Sequence, residues 1–317
     1  MYNIKVYDSD LDYKYTINPL DLRSKISFTE NELSGQGQCV LSLDYDFDDT
    51  RIEATDVIRV YKNLDLLYSG VVGNIERNIN NKGSELKIPL LGLASVFSLV
   101  MYPNTNENQD PAQTIKDIVD TVSTVYDYFS YDSDSIKDFG SNVSIDFENQ
   151  TCLEAIKSTA ETTDYTFFID SSGKVYFKGK TDSETVKHTV AKDIDEIQVR
   201  ENNEDLVNKL VLEYKSATKT YDQSGTDKER TKYLRKTDIE NEASADIFAT
   251  SFFEQNNRTQ LETVVSLVGV DKPKVGDKLT VKNFAYELEN LTIKKIVYNE
   301  EKITLYLEKF VSFNSFL

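Results

Sequence analysis

One stretch of this sequence, residues 56–91, returns in altered form at residues 277–307. Both copies open with Asp, a spacer, a long aliphatic residue, a spacer and Val: Asp56, Ile58 and Val60 in the first, Asp277, Leu279 and Val281 in the second. Lys-Asn follows each time, at Lys62-Asn63 and Lys282-Asn283. An alternating run comes next, with Val71, Gly73 and Ile75 set against Leu291, Ile293 and Ile296. A polar turn, 78–83 or 298–302, leads into a closing strand, Leu86, Ile88 and Leu90 against Ile303, Leu305 and Leu307. Upstream, Val40-Leu41-Ser42-Leu43 matches Val264-Val265-Ser266-Leu267. Period-two alternation marks half-buried strands, and clusters of Asn, Gly and Lys mark hairpin turns. Two copies of one antiparallel β unit therefore organise the chain.

A length of 317 residues leaves room for two or three domains, each with its own core. With 39% hydrophobic and 28% charged residues, the chain has the composition of a folded globular protein. It has no apolar run of about eighteen residues, so no membrane insertion is expected. Its first residues lack the basic-then-apolar pattern of a secretory signal, which predicts synthesis and assembly in the cytoplasm. Cys39 and Cys152 fall in different predicted domains and are expected to be reduced thiols. A net charge of −18 argues against stable nucleic-acid binding, which needs clustered Lys and Arg.

Residues 1–100 read as almost pure β. Ile4 and Val6, then Tyr13, Tyr15 and Ile17, alternate, and Pro19 ends the run because it has no N–H for a ladder. Ile26, Phe28 and the series Cys39, Leu41, Leu43, Tyr45 and Phe47 continue the pattern across the turn-forming Gly35 and Gly37. Many short strands of this kind predict a small barrel or sandwich. After a polar connector at 102–108, Asp110 before Pro111 predicts a capped helix start. Ile115, Ile118, Val119, Val122 and Val125 share one face of that helix. Thr151 and Glu154 form a capping-box pattern for a second helix, with Leu153, Ile156 and Ala160 on its inner side. A hairpin through Phe167, an Asp170–Gly173 turn and Phe177 follows, so 101–185 reads as a small α/β insertion.

Residues 186–317 read as the second β module, with an embedded helix at 244–255 on which Ile247, Phe248 and Phe252 share a face. The polar stretch 215–238 has no apolar periodicity and is expected to be a mobile loop. The expected class is mainly β with an α+β insertion: two similar antiparallel β-barrel modules flanking a small α/β domain.

Positive support for enzymatic chemistry is missing. His188 is the single histidine, between Lys187 and Thr189, and a nucleophile-His-acid arrangement would have to use it. Neither cysteine has a CxxC partner for zinc. The run from Gly173 through Gly179, Lys180 and Thr181 has one spacer too many for a phosphate loop and follows a hairpin. Asp44, Asp46, Asp48 and Asp49 alternate at a strand end, and Asp132, Asp134 and Asp138 lack the central Gly and terminal Glu of a calcium loop, so these acids read as solvated faces. No catalytic, cofactor or metal residue is assigned. Within 215–238, Lys228, Arg230, Lys232, Arg235 and Lys236 stand out from an acidic chain and form the candidate partner-contact loop, suited to a neighbouring acidic surface.

Three stretches carry a family resemblance: the strand through Leu67, Gly70, Val71, Gly73 and Ile75; the helix-to-hairpin segment from Asn149-Gln150-Thr151 through Asp170, Gly173 and Phe177; and Pro273, Val275, Gly276, Asp277, Leu279 and Val281. Together they resemble the baseplate hub family of phage tails, in the form found in contractile tails of Mu-like phages, PBSX-type prophages and R-type bacteriocins. The resemblance implies tube-like β modules and a non-catalytic hub in the virion or tail-like particle. It implies a homotrimer with quasi-six-fold symmetry, whose partners are the tail tube or its initiator, the central spike and other baseplate proteins. The hub-associated lysins of long-tailed phages add a peptidase or lysozyme domain, which is not expected after Leu317. A hub-associated cell-wall or glycan hydrolase and a glycan-binding surface adhesin are the alternatives.

Overall fold

In the computed structural model, the alternation in the first hundred residues becomes one antiparallel sheet. The structure describes residues 2–311 except 33, 45–46, 48–50, 81–82, 104–105, 180–187, 191–193, 203–205, 216, 226–227, 258, 269–272, 283–286 and 300–301. The strands are β1 (Tyr2–Tyr7), β2 (Tyr13–Ile17), β3 (Ser27–Asn31), β4 (Gly35–Gln36), β5 (Cys39–Asp44), β6 (Val57–Lys62), β7 (Asp65–Val72), β8 (Glu76–Asn80) and β9 (Gly83–Gly92). Their order in the sheet is β2-β1-β6-β7-β9-β5, with β8 on β9; β3 and β4 leave it.

The insertion follows with β10 (Asn106–Gln109), α1 (Pro111–Ser123), β11 (Val143–Asp146), α2 (Cys152–Thr163), β12 (Tyr165–Ile169) and β13 (Val175–Gly179). Both expected caps form. The Asp110 side chain accepts from the Ala112 N–H with Pro111 in the first turn, and Thr151 and Glu154 complete a capping box. Val125 departs from expectation. The helix ends at Ser123, and Val125 is 61% exposed while Ile115, Ile118, Val119 and Val122 are buried.

The remaining strands are β14 (His188–Val190), β15 (Ile194–Asn202), β16 (Lys209–Tyr214), β17 (Ala217–Asp222) and β18 (Thr231–Lys236). Helix α3 (Glu242–Asn256) precedes β19 (Thr259–Leu267), β20 (Lys278–Lys282), β21 (Glu287–Asn299) and β22 (Lys302–Val311). The second large sheet runs β14-β20-β21-β22-β19-β15. The expected mobile loop at 215–238 is a correction: its described residues include β17 and β18, which flank β16 in a three-stranded sheet. Their side chains are mostly polar, with Tyr221 and Leu234 the half-buried hydrophobics among them, so no apolar alternation announces these strands. The backbone ladder to β16 holds them; β16 packs fully on α3 through Leu210 and Leu212, while Tyr221 of β17 and Leu234 of β18 add half-buried contacts to the same cluster.

The two copies share strand order and register. In the first, Leu43, Leu41 and Cys39 face Leu86, Ile88 and Leu90; in the second, Leu267, Val265 and Thr263 face Ile303, Leu305 and Leu307. Val72 pairs with Leu90 as Ile293 pairs with Leu307. Asp56 and Asp277 do one job: each carbonyl accepts the N–H of Val72 or Ile293, and each carboxylate accepts an N–H three residues upstream. One detail of the sequence alignment shifts. Val72, rather than Gly73, answers to Ile293, and Gly70 to Leu291. Alternation cannot detect this slip, because Val71 and Val72 are both apolar.

The modules do not have separate cores. A single apolar cluster runs from Ile4 and Leu41 in the first sheet to Leu279 and Leu305 in the second. Strand β3 causes this, because it leaves the first sheet and pairs with β21, Phe28 opposite Tyr298. The Phe28 ring packs against Tyr68 and stacks on Tyr298, each with centroids 4.9 Å apart. The α/β insertion packs in a second cluster that also takes in Val57, Leu93, Ala94, Val96 and Phe97 of the first module, and a small third cluster joins β16 to α3. That third unit lies on the insertion: Ser144 N–H donates to Ser244 Oγ (2.9 Å), Gln255 to Asp164 (2.6 Å) and Lys236 to Glu161 (2.6 Å).

Candidate assembly surfaces

Strand β3 makes the joint between the modules, and its chemistry explains how a segment so far upstream is held there. Glu32, just past β3, donates its N–H to the Lys294 carbonyl at 3.2 Å. Lys294 Nζ in turn lies 2.8 Å from Glu32 and 3.2 Å from Glu308. Burial works against the charge on Lys294, but the two carboxylates outweigh it and its pKa is raised. On the other side, buried Gln36 donates to Glu30 (2.9 Å) and to the Leu67 carbonyl (2.8 Å) and accepts from the Ser69 N–H (2.9 Å). The insertion is tied in beside it. Ser69 Oγ donates to the Ser171 carbonyl at 2.5 Å, and a Cβ on Gly35 (φ +72) would stand 2.2 Å from the Ile169 carbonyl oxygen. Sequence pattern does not announce this joint. Its one local signal is Gly35, which reads as a turn.

A cleft of about 830 Å³ opens where the first module, the second module and the insertion hairpin meet. Lys62, Asp65, Phe168, Ser171, Lys274 and Tyr298 are among its lining residues. Lys62, Lys274 and Lys302 share the lining with Glu30, Asp65 and Asp170, so it carries no strong field of one sign.

The five basic residues of the candidate contact stretch are not one free patch. Arg235 pairs with Glu213 (3.3 Å), and Lys236 pairs with Glu161 while covering the Phe248 ring. The Arg230 N–H and the Lys228 carbonyl hold the two ends of the Asn208 amide. Lys228 and Lys232 are exposed. Lys215 and Lys219 are likewise matched to carboxylates, Glu240 and Asp146 for the first, Glu242 and Asp246 for the second. Surface pairs of this kind add little stability, but they remove much of the excess charge that a partner would feel.

The other singled-out residues have local roles. His188 lies on β14 in register with Leu279. Cys39 and Cys152 are free and buried, and burial raises their thiols to about 12 and about 11, too high for thiolate chemistry near neutrality. Asp132 accepts from Lys174 Nζ (2.6 Å) and from the Ser135 N–H (2.8 Å), which lower its pKa. Asp44 pairs with Arg23, and Asp138 with Lys116. Asp46, Asp48, Asp49, Lys180 and Thr181 lie outside the described residues. Among the described residues no group of three or more His, Cys, Asp or Glu is placed to hold a metal ion.

No protein-family model and no curated protein matches this sequence. Solved structures do match its fold. A tail protein from Neisseria meningitidis MC58 superposes with a TM-score of 0.72 at 11% identity, covering 97% of this chain and 96% of that one. The 43 kDa tail protein of prophage MuSo2 from Shewanella oneidensis gives 0.68 at 14% identity, over 97% and 96%. Prophage tail protein gp18 from Listeria monocytogenes EGD-e gives 0.64 at 12%, over 97% and 94%. The chain has the fold of these tail proteins along nearly its whole length.

Proposed function

We propose that this chain is a structural, non-catalytic hub subunit of a phage-tail or tail-like baseplate. Three copies form a ring that joins a six-fold tail tube to a three-fold central spike and contacts other baseplate proteins. The observation that carries the reading is the shared strand order and register of the two β modules. A three-fold ring of such chains presents six nearly equivalent units, and contacts between unlike surfaces close into a ring when the rotation fits. Fold likeness to tail proteins over nearly the whole chain supports the same reading. In this arrangement the insertion, packed on Val57 and Phe97 of the first module, sits outside the ring. Lys228 and Lys232 remain available to an acidic neighbour, and a charge of −18 per copy disfavours trapping of nucleic acid near the channel.

Stoichiometry tests this directly. Mass measurement in solution and within purified particles is expected to give three copies per ring. Six copies would make the chain a tube subunit, and a monomer absent from particles would end the hub reading.

A further inference from the structure

Within one chain, the first module reaches the second by a recognisable device. The backbone at Leu22 bridges Leu43 on the edge strand β5, Arg23 donates its N–H to the Ser42 carbonyl (2.7 Å), and the chain then runs on as β3 to pair with β21. The second module begins the same device. Ile194 of β15 pairs with Leu267, the counterpart of Leu43, and Glu196 pairs with Ser266, the counterpart of Ser42. Here the continuation is the rest of β15. Among the described residues, β15 pairs with β19 alone.

The receiving side is duplicated too. The half of β21 that takes β3 is Lys295–Asn299 in register with Asn31–Ser27. Its counterpart in the first module is the stretch through Ile75, Glu76, Arg77 and Asn78, since Val72 answers to Ile293 in the shared register. Among the described residues, β8 pairs with β9 alone. Exposure agrees with this. Under β3, Ile296 and Tyr298 are 0% and 3% exposed, whereas the matching Ile75 is half-buried and Arg77 is exposed. Val199, at the place of the fully buried Ile26, is 45% exposed in the middle of β15.

We infer that β15 of one copy adds to β8 of a second copy, antiparallel, as β3 adds to β21 within the chain. This assignment rests on the ring reading and names its joint. Among the described residues neither outer edge has a ladder partner, and strand addition joins edges of this kind through their backbones. Glu76 and Arg77 on one edge, and Asp195, Glu196 and Arg200 on the other, would otherwise read as charges that keep edges apart. Charge alone does not account for a valine held half open between them. In the carried-over register, Arg200 of one copy faces Asn78 of the next, as Ser27 faces Asn299 within the chain.

The test uses the full chain with Arg200→Cys and Asn78→Cys together, the native cysteines being buried. Mild oxidation is expected to yield linked species up to three chains on a denaturing gel, reversed by reductant, while each single variant stays unlinked. Hydrogen exchange on the unaltered protein supplies a readout that does not depend on register. Amides of β8 and β15 are expected to slow by about tenfold or more between dilute monomer and assembled ring. A three-copy ring in which neither strand gains protection overturns the joint and leaves the hub reading standing. Protein that never forms a ring overturns both.

Discussion

In the first module Tyr68 and Gly70 fill a place that Leu291 fills in the second. A Cβ on Gly70 would stand 2.7 Å from the Tyr68 hydroxyl, and that hydroxyl donates toward the carbonyls of Gly37 (2.8 Å) and Leu90 (3.0 Å). Leu291, in the Gly70 position, is fully buried without such help. The two modules thus keep one backbone plan and change side chains where a different neighbour arrives. In the first module the neighbour is β4, which crosses against β7 and β9 and needs room. In the second it is β3, which arrives from the other module and needs an anchor. Lys294 supplies that anchor, and its counterpart in the first module is Gly73. Duplication preserved the ladder and let the contact surfaces diverge, because ladders need only backbone whereas docking needs particular shapes.

The largest break in this comparison is expected at Gly92, where β4 crosses. A Cβ there would fall 1.5 Å from the Gln36 carbonyl oxygen, so backbone must move. Gly92→Ala is expected to cost about 3 kcal/mol or more, or to prevent folding. Lys309 lies two residues past Leu307, as Gly92 lies two past Leu90, and Lys309→Ala is expected to change little. Urea denaturation of both variants checks the contrast, and equal effects would show that β4 does not set the difference.

Next in size is Lys294→Met, which leaves Glu32 and Glu308 facing each other without a cation. A loss of about 2 kcal/mol is expected, given that all three groups are only partly shielded. The pH response sharpens it. Because the folded pKa of Lys294 is raised, its contribution is complete below the unfolded lysine value of about 10.4 and is lost as pH rises through the folded value. Alkaline unfolding curves of the two proteins are therefore expected to converge above that point. A constant gap between them would place the cause of the loss outside the ion triad.

The smallest effect concerns Cys39 and Thr263, which occupy one position in the two ladders. Both are buried, but among the described residues the Thr263 hydroxyl has no hydrogen-bond partner. Replacing it by an isosteric apolar group, Thr263→Val, is expected to stabilise the chain by about 1 kcal/mol. Cys39→Thr is expected to do the opposite. Thermal melts of the pair decide whether the two cores are interchangeable at this site.

Much of the plan is legible in the sequence. Asp56 with Val60 and Asp277 with Val281 mark equivalent strands, and Asp110 and Thr151 mark where helices begin, because caps and period-two alternation are local chemistry. The fine register of the middle strands is not legible, since neighbouring apolar residues such as Val71 and Val72 give the same local signal in either setting. The basic stretch reads as a loop because β17 and β18 bury little and advertise nothing. The candidate contact residues are visible as charge, yet the pairing of Arg235 with Glu213 and Lys236 with Glu161 depends on folds that bring distant segments together.

By itself the sequence determined that two like β units exist, where their strands lie and which faces turn inward. Those properties follow from side-chain spacing along one strand or helix. Tertiary structure alone decided that β3 crosses to β21, that the two modules share one core, and that the unit around α3 settles on the insertion. Each is a choice among open backbone edges and apolar faces that look alike from within their own segment. The choice turns on which partner fills the space, and that information belongs to the pair rather than to either stretch of chain.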